Sequence, residues 1–206
     1  MSAAGRLARR LILAEFRSYR ALARWLVRRP DVPAGATGFR HVGVILPVLW
    51  TFIGVSAVEL VAVHLLLPWP GVRVVADVLG VWGLVWVLGL TAALSIRPHV
   101  VDSTGVRVRS GTTAEVAVPW DAVAAVAVRR RMREKSRGIQ LDRGEGGAVL
   151  NMVAGSQTNV DLALRRPLDL ALPDGTETVS AVRLYCDDPR AFVAAARERL
   201  AAVTAD

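Results

Sequence analysis

The sequence has few of the residues that support catalysis or metal binding. Its 206 residues include one cysteine, Cys186, and three histidines, His41, His64 and His99. A single cysteine cannot form an intramolecular disulfide or a cysteine-rich metal site, and it suits a reducing compartment. The histidines lie far apart without ligand spacing, and the sequence contains no HExxH motif and no Ser/His/Asp or Cys/His set. We therefore predict a non-enzymatic protein that needs no cofactor and no metal.

The middle of the chain has almost no charge. From residue 42 to residue 96 the only charged side chains are Glu59, Arg73 and Asp77. The turn sequence Pro-Trp-Pro-Gly at 68–71 divides this block into apolar runs over about 42–67 and 72–96. Each run is long enough to cross a hydrocarbon core about 30 Å thick. The sequence predicts a two-helix transmembrane hairpin over 42–96.

The positive charge is concentrated before the hairpin. Residues 1–41 carry a net charge of +7, residues 42–96 carry −1 and residues 97–206 carry +2, which sum to +8. The turn between the two apolar runs carries no arginine. Because positively charged flanks stay on the cytoplasmic side, we expect a multi-pass protein of the cell membrane with both termini in the cytoplasm.

The first 41 residues predict a basic amphipathic helix followed by a linker. On a helical projection of residues 6–28, one face collects Arg6, Arg9, Arg10, Arg17, Arg20, Arg24 and Arg28. The opposite face collects Leu7, Leu11, Ile12, Tyr19, Leu22, Trp25 and Leu26. Such a helix suits the headgroup plane, with its arginines on anionic lipid of the inner leaflet. The alternative is that it packs on the protein's own cytoplasmic domain. Prolines and glycines between residues 30 and 38 indicate the linker.

From residue 97 to residue 206 the apolar pattern predicts a domain of strands closed by a helix. Apolar residues alternate with a period of two, and turn signals lie at 103–105, 143–147 and 173–175. The predicted strands cover 99–102, 106–109, 114–118, 123–128, 139–141, 149–153, 160–164, 168–172 and 179–185. Asp188 is a suitable N-cap and Pro189 a suitable first residue for a closing helix with an apolar stripe at 192, 196, 200 and 203.

The start of this region carries three short motifs, which are Pro98-His-Val-Val-Asp102, Gly105-Val-Arg-Val-Arg109 and Val118-Pro-Trp-Asp-Ala-Val123. They resemble the opening of bacterial pleckstrin-homology-like (PH-like) domains that follow paired membrane helices. Over residues 98–203, the resemblance implies an antiparallel β-barrel of about seven strands, closed by the C-terminal helix, with Trp120 at one end. It also implies a binding or assembly module without catalytic residues. The loop by which eukaryotic relatives bind phosphoinositides is here the tight turn 103–105, so headgroup recognition of that kind is not implied.

An arginine-rich run follows the third motif. Its basic side chains include the candidate lipid-surface residues Arg129, Arg130, Arg131 and Arg133. Each basic residue near an anionic leaflet contributes on the order of 1 kcal/mol. The alternative is a solvated loop between strands. A nucleic-acid site is disfavoured, because no aromatic residues interleave with the arginines to stack on bases.

Four polar residues within the hairpin are candidate intramembrane residues. They are Glu59, His64, Arg73 and Asp77. A carboxylate within a span is costly and is often functional. The interpretation we favour is an internal cluster in which the histidine and the arginine offset the two acids, because two helices alone cannot enclose a transport path.

Together these features predict an α+β membrane protein that acts as a membrane-anchored adaptor and presents a PH-like domain at the inner leaflet. Its expected partners are anionic lipids and another membrane protein or a second copy, with no nucleic acid and no small-molecule substrate. The alternative function is an accessory subunit of a transporter or secretion complex that uses Glu59 and Asp77 within the bilayer.

Overall fold

The protein is an α+β chain that divides into two compact units. The computed structural model describes residues 22–27, 30–110, 114–134, 137–144, 147–173 and 175–205. The first unit, here called the helix unit, comprises residues 1–30 and 45–96. The second, here called the sheet unit, comprises residues 31–44 and 97–206. The segment 31–44 therefore groups with the C-terminal residues, although the sequence predicts a linker up to residue 41 and the start of the first span from residue 42.

Two long helices form most of the described helix unit. Helix α1 covers Leu46–Leu66 and helix α2 covers Pro70–Ile96. The first helix begins four residues later than the predicted span, because the backbone before it is engaged in the sheet unit, where the Gly43 amide donates to Asp187 Oδ1 at 2.9 Å. Proline is tolerated in the first turn of a helix, which explains why Pro47 does not interrupt α1.

Both helices are long and apolar enough to cross a membrane. Only 6% of the most apolar 18-residue stretch of α1 is buried, and 33% of that of α2. The core helix of a soluble domain would be mostly buried. The outer surfaces of these helices instead present large aliphatic and aromatic side chains, such as Phe52, Val58, Leu65 and Trp82.

Helices α1 and α2 pack closely at Gly80 of α2. A Cβ atom at Gly80 of α2 would lie 2.6 Å from Leu60 Cδ1 of α1, so a larger residue there would separate the helices. The described part of the N-terminal arm is helical over 22–26. Within it Trp25, expected on the lipid-facing side, packs against Ala93 and Ile96 of the helix unit itself.

The first sheet of the sheet unit has four antiparallel strands in chain order. They are β1 (Thr37–Phe39), β2 (His99–Val101), β3 (Gly105–Ser110) and β4 (Ala114–Pro119). Strand β1 comes from the expected linker. It is held there because the Phe39 ring meets the buried Phe192 ring edge-on, with centroids 5.2 Å apart.

The second sheet has five strands in the order β5-β8-β9-β7-β6. Their bounds are β5 (Val123–Met132), β6 (Ile139–Gly144), β7 (Gly147–Met152), β8 (Gln157–Leu172) and β9 (Gly175–Leu184). Strand β8 joins two segments that the sequence predicts as separate strands, with a register irregularity between Ala163 and Leu168. Pro167 lies within this irregularity, where its missing N–H costs no ladder bond.

Two features differ from the predicted antiparallel barrel. Strands β7 and β9 pair in parallel, because the β8–β9 hairpin brings its second strand beside β7. In the described residues the strands form two separate sheets and no closed barrel. Strands β5 and β6 are the two edges of the second sheet. A side-chain hydrogen bond from Arg133 to Asp142 links them, and no backbone ladder does so within the described strands.

One apolar core joins both sheets to a closing helix, α3, which covers Pro189–Ala205. The predicted cap is confirmed, since the Ala191 amide donates to Asp188 Oδ1 at 3.0 Å. Phe192 is fully buried in this core. Trp120 is also buried there, and its indole N–H donates to the carbonyl oxygen of Asp102 at 2.9 Å.

Candidate functional site

One polar contact joins the two apolar helices. His64 Nδ1 of α1 lies 2.8 Å from Asp77 Oδ2 of α2, with the ring nitrogen donating to the carboxylate. The other carboxylate oxygen of Asp77 is buried and has no hydrogen-bond partner among the described residues. In an apolar environment a polar pair of this kind favours one register of the two helices, because slippage would leave both groups unpaired.

The other two polar residues of the hairpin stand apart from this pair. Glu59 is exposed on α1 and Arg73 is half-buried on α2. Within the described ranges neither residue has an ion pair. The structure therefore brings together His64 and Asp77 of the expected four-residue cluster, and leaves Glu59 and Arg73 outside it.

The arginine run lies on a strand. Residues 129–132 continue β5, and the Arg133 amide donates to the Ser156 carbonyl oxygen at 2.8 Å. The odd-numbered arginines point to one face and meet carboxylates. Arg131 Nη2 lies 3.2 Å from Asp161 Oδ2, and Arg133 donates to Asp142. The Arg133 hydrogen bond holds the pKa of the Asp142 carboxyl below its usual range.

These contacts divide the candidate lipid-surface residues into two groups. Arg131 and Arg133 belong to an ion network that also includes Arg183, which lies 3.7 Å from Asp161 Oδ1. Burial, followed by the nearby Arg131 charge, lowers the pKa of Arg183. Arg130 is exposed and Arg129 reaches Asp161 only at 4.0 Å. Of these four arginines, Arg129 and Arg130 therefore carry the more exposed charge.

The basic face of the N-terminal arm is only partly described. Arg24 Nη2 donates to the carbonyl oxygen of Pro30 at 3.4 Å. The remaining arginines of that face, Arg6, Arg9, Arg10, Arg17, Arg20 and Arg28, lie outside the described residues.

A cavity of about 690 Å³ lies beside the free edge of β6. Met132, Ile139 and Leu141 give it apolar walls, and Arg137 and Glu134 add charge of both signs. In the part of the chain that the structure describes, no group of three or more His, Cys, Asp or Glu side chains could hold a metal ion. The described lining of the cavity is therefore partly apolar and partly charged.

No spacing in the sequence predicts the histidine pair of the sheet unit. His41 and His99 stack with ring centroids 4.3 Å apart. The Arg109 amide donates to His99 Nδ1 at 3.0 Å, and His99 Nε2 donates to the Tyr185 carbonyl oxygen at 2.9 Å. These bonds assign a neutral ring. Burial lowers the pKa of His41 to about 4 and that of His99 well below its ordinary value.

Arg109 and Asp187 fasten the segment 31–44 beside this pair. Arg109 is 5% exposed, donates from Nε to Glu115 at 2.8 Å and from Nη1 to the Asp31 carbonyl oxygen at 2.6 Å. The Asp187 amide donates to the Arg40 carbonyl oxygen at 2.8 Å. No motif signals the two contacts that reach this segment, since each joins residues far apart in the sequence.

Comparisons of the chain with protein-family models, with curated proteins and with solved structures find no match.

Proposed function

We propose that this protein is a non-enzymatic adaptor, anchored in the cell membrane by α1 and α2, that presents its sheet unit at the cytoplasmic leaflet. The observation that carries the proposal is the exposed apolar surface of α1, of which only 6% is buried over its most apolar stretch. Water disfavours such a surface, whereas lipid tails match it.

The orientation follows from charge. Nine arginines precede α1 and none lies in the turn between the helices, so the positive flanks belong in the cytoplasm and the turn outside. The chain enters α1 from residue 44 and leaves α2 at residue 97, and both residues belong to the sheet unit. A PH-like role for that unit in binding protein or lipid is part of this proposal.

The binding role can be tested by photocrosslinking in the native membrane. A photoreactive residue at Met132, which lines the cavity beside β6, or at the exposed Arg130 on the same strand, should give a discrete protein or lipid adduct. The matched control at Arg166, which is exposed elsewhere on the sheet unit, should not give that adduct. An identical adduct pattern from all three positions would contradict a specific binding surface.

The alternative function, an accessory subunit of a transporter or secretion complex, is favoured by Glu59, an exposed carboxylate on an apolar helix. It predicts that Glu59→Gln and Asp77→Asn each abolish the transport that the complex performs, while the protein still folds and reaches the membrane. A purely structural role predicts that Asp77→Asn changes stability and that neither variant blocks transport.

A further inference from the structure

The outer face of α1 carries a regular stripe of side chains. Its members follow one another at intervals of four, three, four, three and four residues. We call this stripe the α1 seam, and it consists of Val48, Phe52, Val55, Glu59, Ala62 and Leu66. Five of its six members are exposed and Ala62 is half-buried. Alternating three- and four-residue steps are the spacing by which one helix packs along another in a left-handed pair.

The seam is separate from the surface that α1 uses against α2. Leu60 packs on Gly80, and His64 pairs with Asp77. At 100° per residue these two positions lie roughly 100–140° around the helix from Glu59. The packing of α1 on α2 therefore leaves the seam uncovered.

Glu59 is the one polar member of the seam, and it has no ion-pair or hydrogen-bond partner among the described residues. His64, the nearest basic side chain along α1, is engaged by Asp77. Hydrocarbon offers a carboxylate no hydrogen bond, and polar groups inside spans therefore pair across helices. A single polar residue in an apolar seam also selects the register and identity of the partner helix.

We propose that a second transmembrane helix, bearing one lysine or arginine at the depth of Glu59, packs along the α1 seam and pairs that cation with Glu59. The inference rests on the proposed membrane insertion and names the kind of membrane partner. Charge complementarity decides the occupant. A second copy inserted the same way presents another carboxylate at the same depth.

Arg73 of a second copy does not supply the missing cation. The contacts of Leu60 with Gly80 and of His64 with Asp77 place Glu59 level with about residue 82 of α2. Arg73 lies nine residues from that level, or about 13 Å at 1.5 Å per residue. Side chains also lean towards the N-terminus of their own helix, so in a parallel pair of copies Arg73 of α2 and Glu59 of α1 lean away from each other in depth.

The test uses the full chain in lipid vesicles, labelled with a fluorescence donor on the sheet unit. The probes are acceptor-labelled transmembrane peptides built of leucine, with valine at every second position that faces the seam. They differ only at the position that lies at the depth of Glu59, which is lysine, leucine or glutamate. We expect the lysine peptide to bind at least about tenfold more tightly than the leucine peptide, and Glu59→Gln to remove that difference. Glu59→Lys should reverse the preference towards the glutamate peptide.

Matched variants test the seam itself. Phe52→Ala should weaken binding of the lysine peptide, whereas Val61→Ala, which is exposed on the opposite side of α1, should not. Equal binding of the lysine and leucine peptides by a chain that is inserted would overturn the inference and leave membrane anchoring intact. Self-association of the chain that is abolished by Glu59→Gln would also overturn the inference, because a second copy would then occupy the seam. Failure of the chain to insert, read from label access at Trp69, would overturn the proposed function as well.

Discussion

The helix unit and the sheet unit place the same residue types in opposite environments. Val48 and Val58 of α1 are 68% and 72% exposed, whereas Val100 and Val106 of the first sheet are fully buried. Burial of an aliphatic side chain stabilises a fold in water, because it removes apolar surface from that solvent. The exposure of such side chains on the helix unit is the basis of the proposed membrane insertion.

The polar groups show the reverse pattern. In the sheet unit the buried Asn159 uses both ends of its amide, donating to the Cys186 carbonyl oxygen and accepting from the Cys186 amide. In the helix unit Glu59 has no partner among the described residues, although it lies on an apolar surface. The amide of Asn159 is thus satisfied inside its own unit, whereas satisfaction of Glu59 depends on what surrounds α1.

The largest expected effect is a difference in stability between two Phe→Ala variants, one in each unit. Phe192→Ala should lower the free energy of unfolding of the sheet unit by about 3–5 kcal/mol, because it leaves a cavity in a closed core. Phe52→Ala should change it by less than about 0.5 kcal/mol, because Phe52 is 57% exposed in the helix unit. Hydrogen exchange of the β3 and β4 amides in detergent micelles measures both. Equal losses would contradict the division into units.

The second effect is a pH dependence of the sheet unit. Burial lowers the pKa of His41 from 6.5 to about 4, so the folded state binds fewer protons than the unfolded state between these values. Stability is therefore complete above pH 6.5 and is lost as the pH falls towards 4, by about 3 kcal/mol from this ring.

The His41→Phe variant is the control for this effect, since it keeps a ring against His99 and removes the protonation. Its unfolding free energy, measured by hydrogen exchange at several pH values, should fall less steeply between pH 6.5 and 4. A slope that matches the unmodified protein would show that His41 is not the source.

The third effect concerns the only polar pair found between the described helices. His64→Leu should destabilise the hairpin by about 1 kcal/mol, because it leaves the Asp77 carboxylate unpaired between two apolar surfaces. Glu59→Leu should not destabilise it, since Glu59 makes no polar contact within the described hairpin. Unfolding in increasing mole fractions of sodium dodecyl sulfate, followed by helix content, compares the two variants. A larger loss from Glu59→Leu would place that residue inside the hairpin.

The smallest effect lies within the arginine strand. Arg131→Gln should lower the stability of the sheet unit by about 1 kcal/mol, because it breaks a partly buried pair with Asp161. Arg130→Gln should leave stability unchanged within about 0.5 kcal/mol, because that side chain is exposed. The melting temperature of each variant provides the measurement. Equal decreases in both variants would show that Arg131 contributes no more to stability than the exposed Arg130.

Patterns with a strong local cause were predictable from the sequence. The two apolar runs, the turn between them and the cap at Asp188 depend on residues within one or two turns of each other. The structure has helices and a cap at these places, although the second helix begins at Pro70, within the turn predicted at 68–71. The strands of the sheet unit also largely follow the period-two pattern, because alternate side chains face one core.

Features that depend on distant contacts were not predictable. The prolines and glycines between residues 30 and 38 indicate a linker, but Phe39 and the Arg109 contacts place this segment in the sheet unit. The parallel pairing of β7 with β9 depends on which edge the β8–β9 hairpin meets, and single-strand patterns carry no such information. For Glu59, the sequence indicates its depth within the predicted span, but only the helix pairing shows that it lies on the outer face.

The topology of the chain in intact cells tests the membrane anchoring by α1 and α2. Single cysteines at Trp69, in the turn between α1 and α2, and at Arg130, on the sheet unit, can be probed with a maleimide that does not cross membranes. The native Cys186 gives no background, because it is buried and burial raises the pKa of its thiol to about 12. We expect labelling of Trp69→Cys in intact cells and of Arg130→Cys only after the cells are opened. Labelling of Arg130→Cys in intact cells, or recovery of the protein outside the membrane fraction, would contradict this topology.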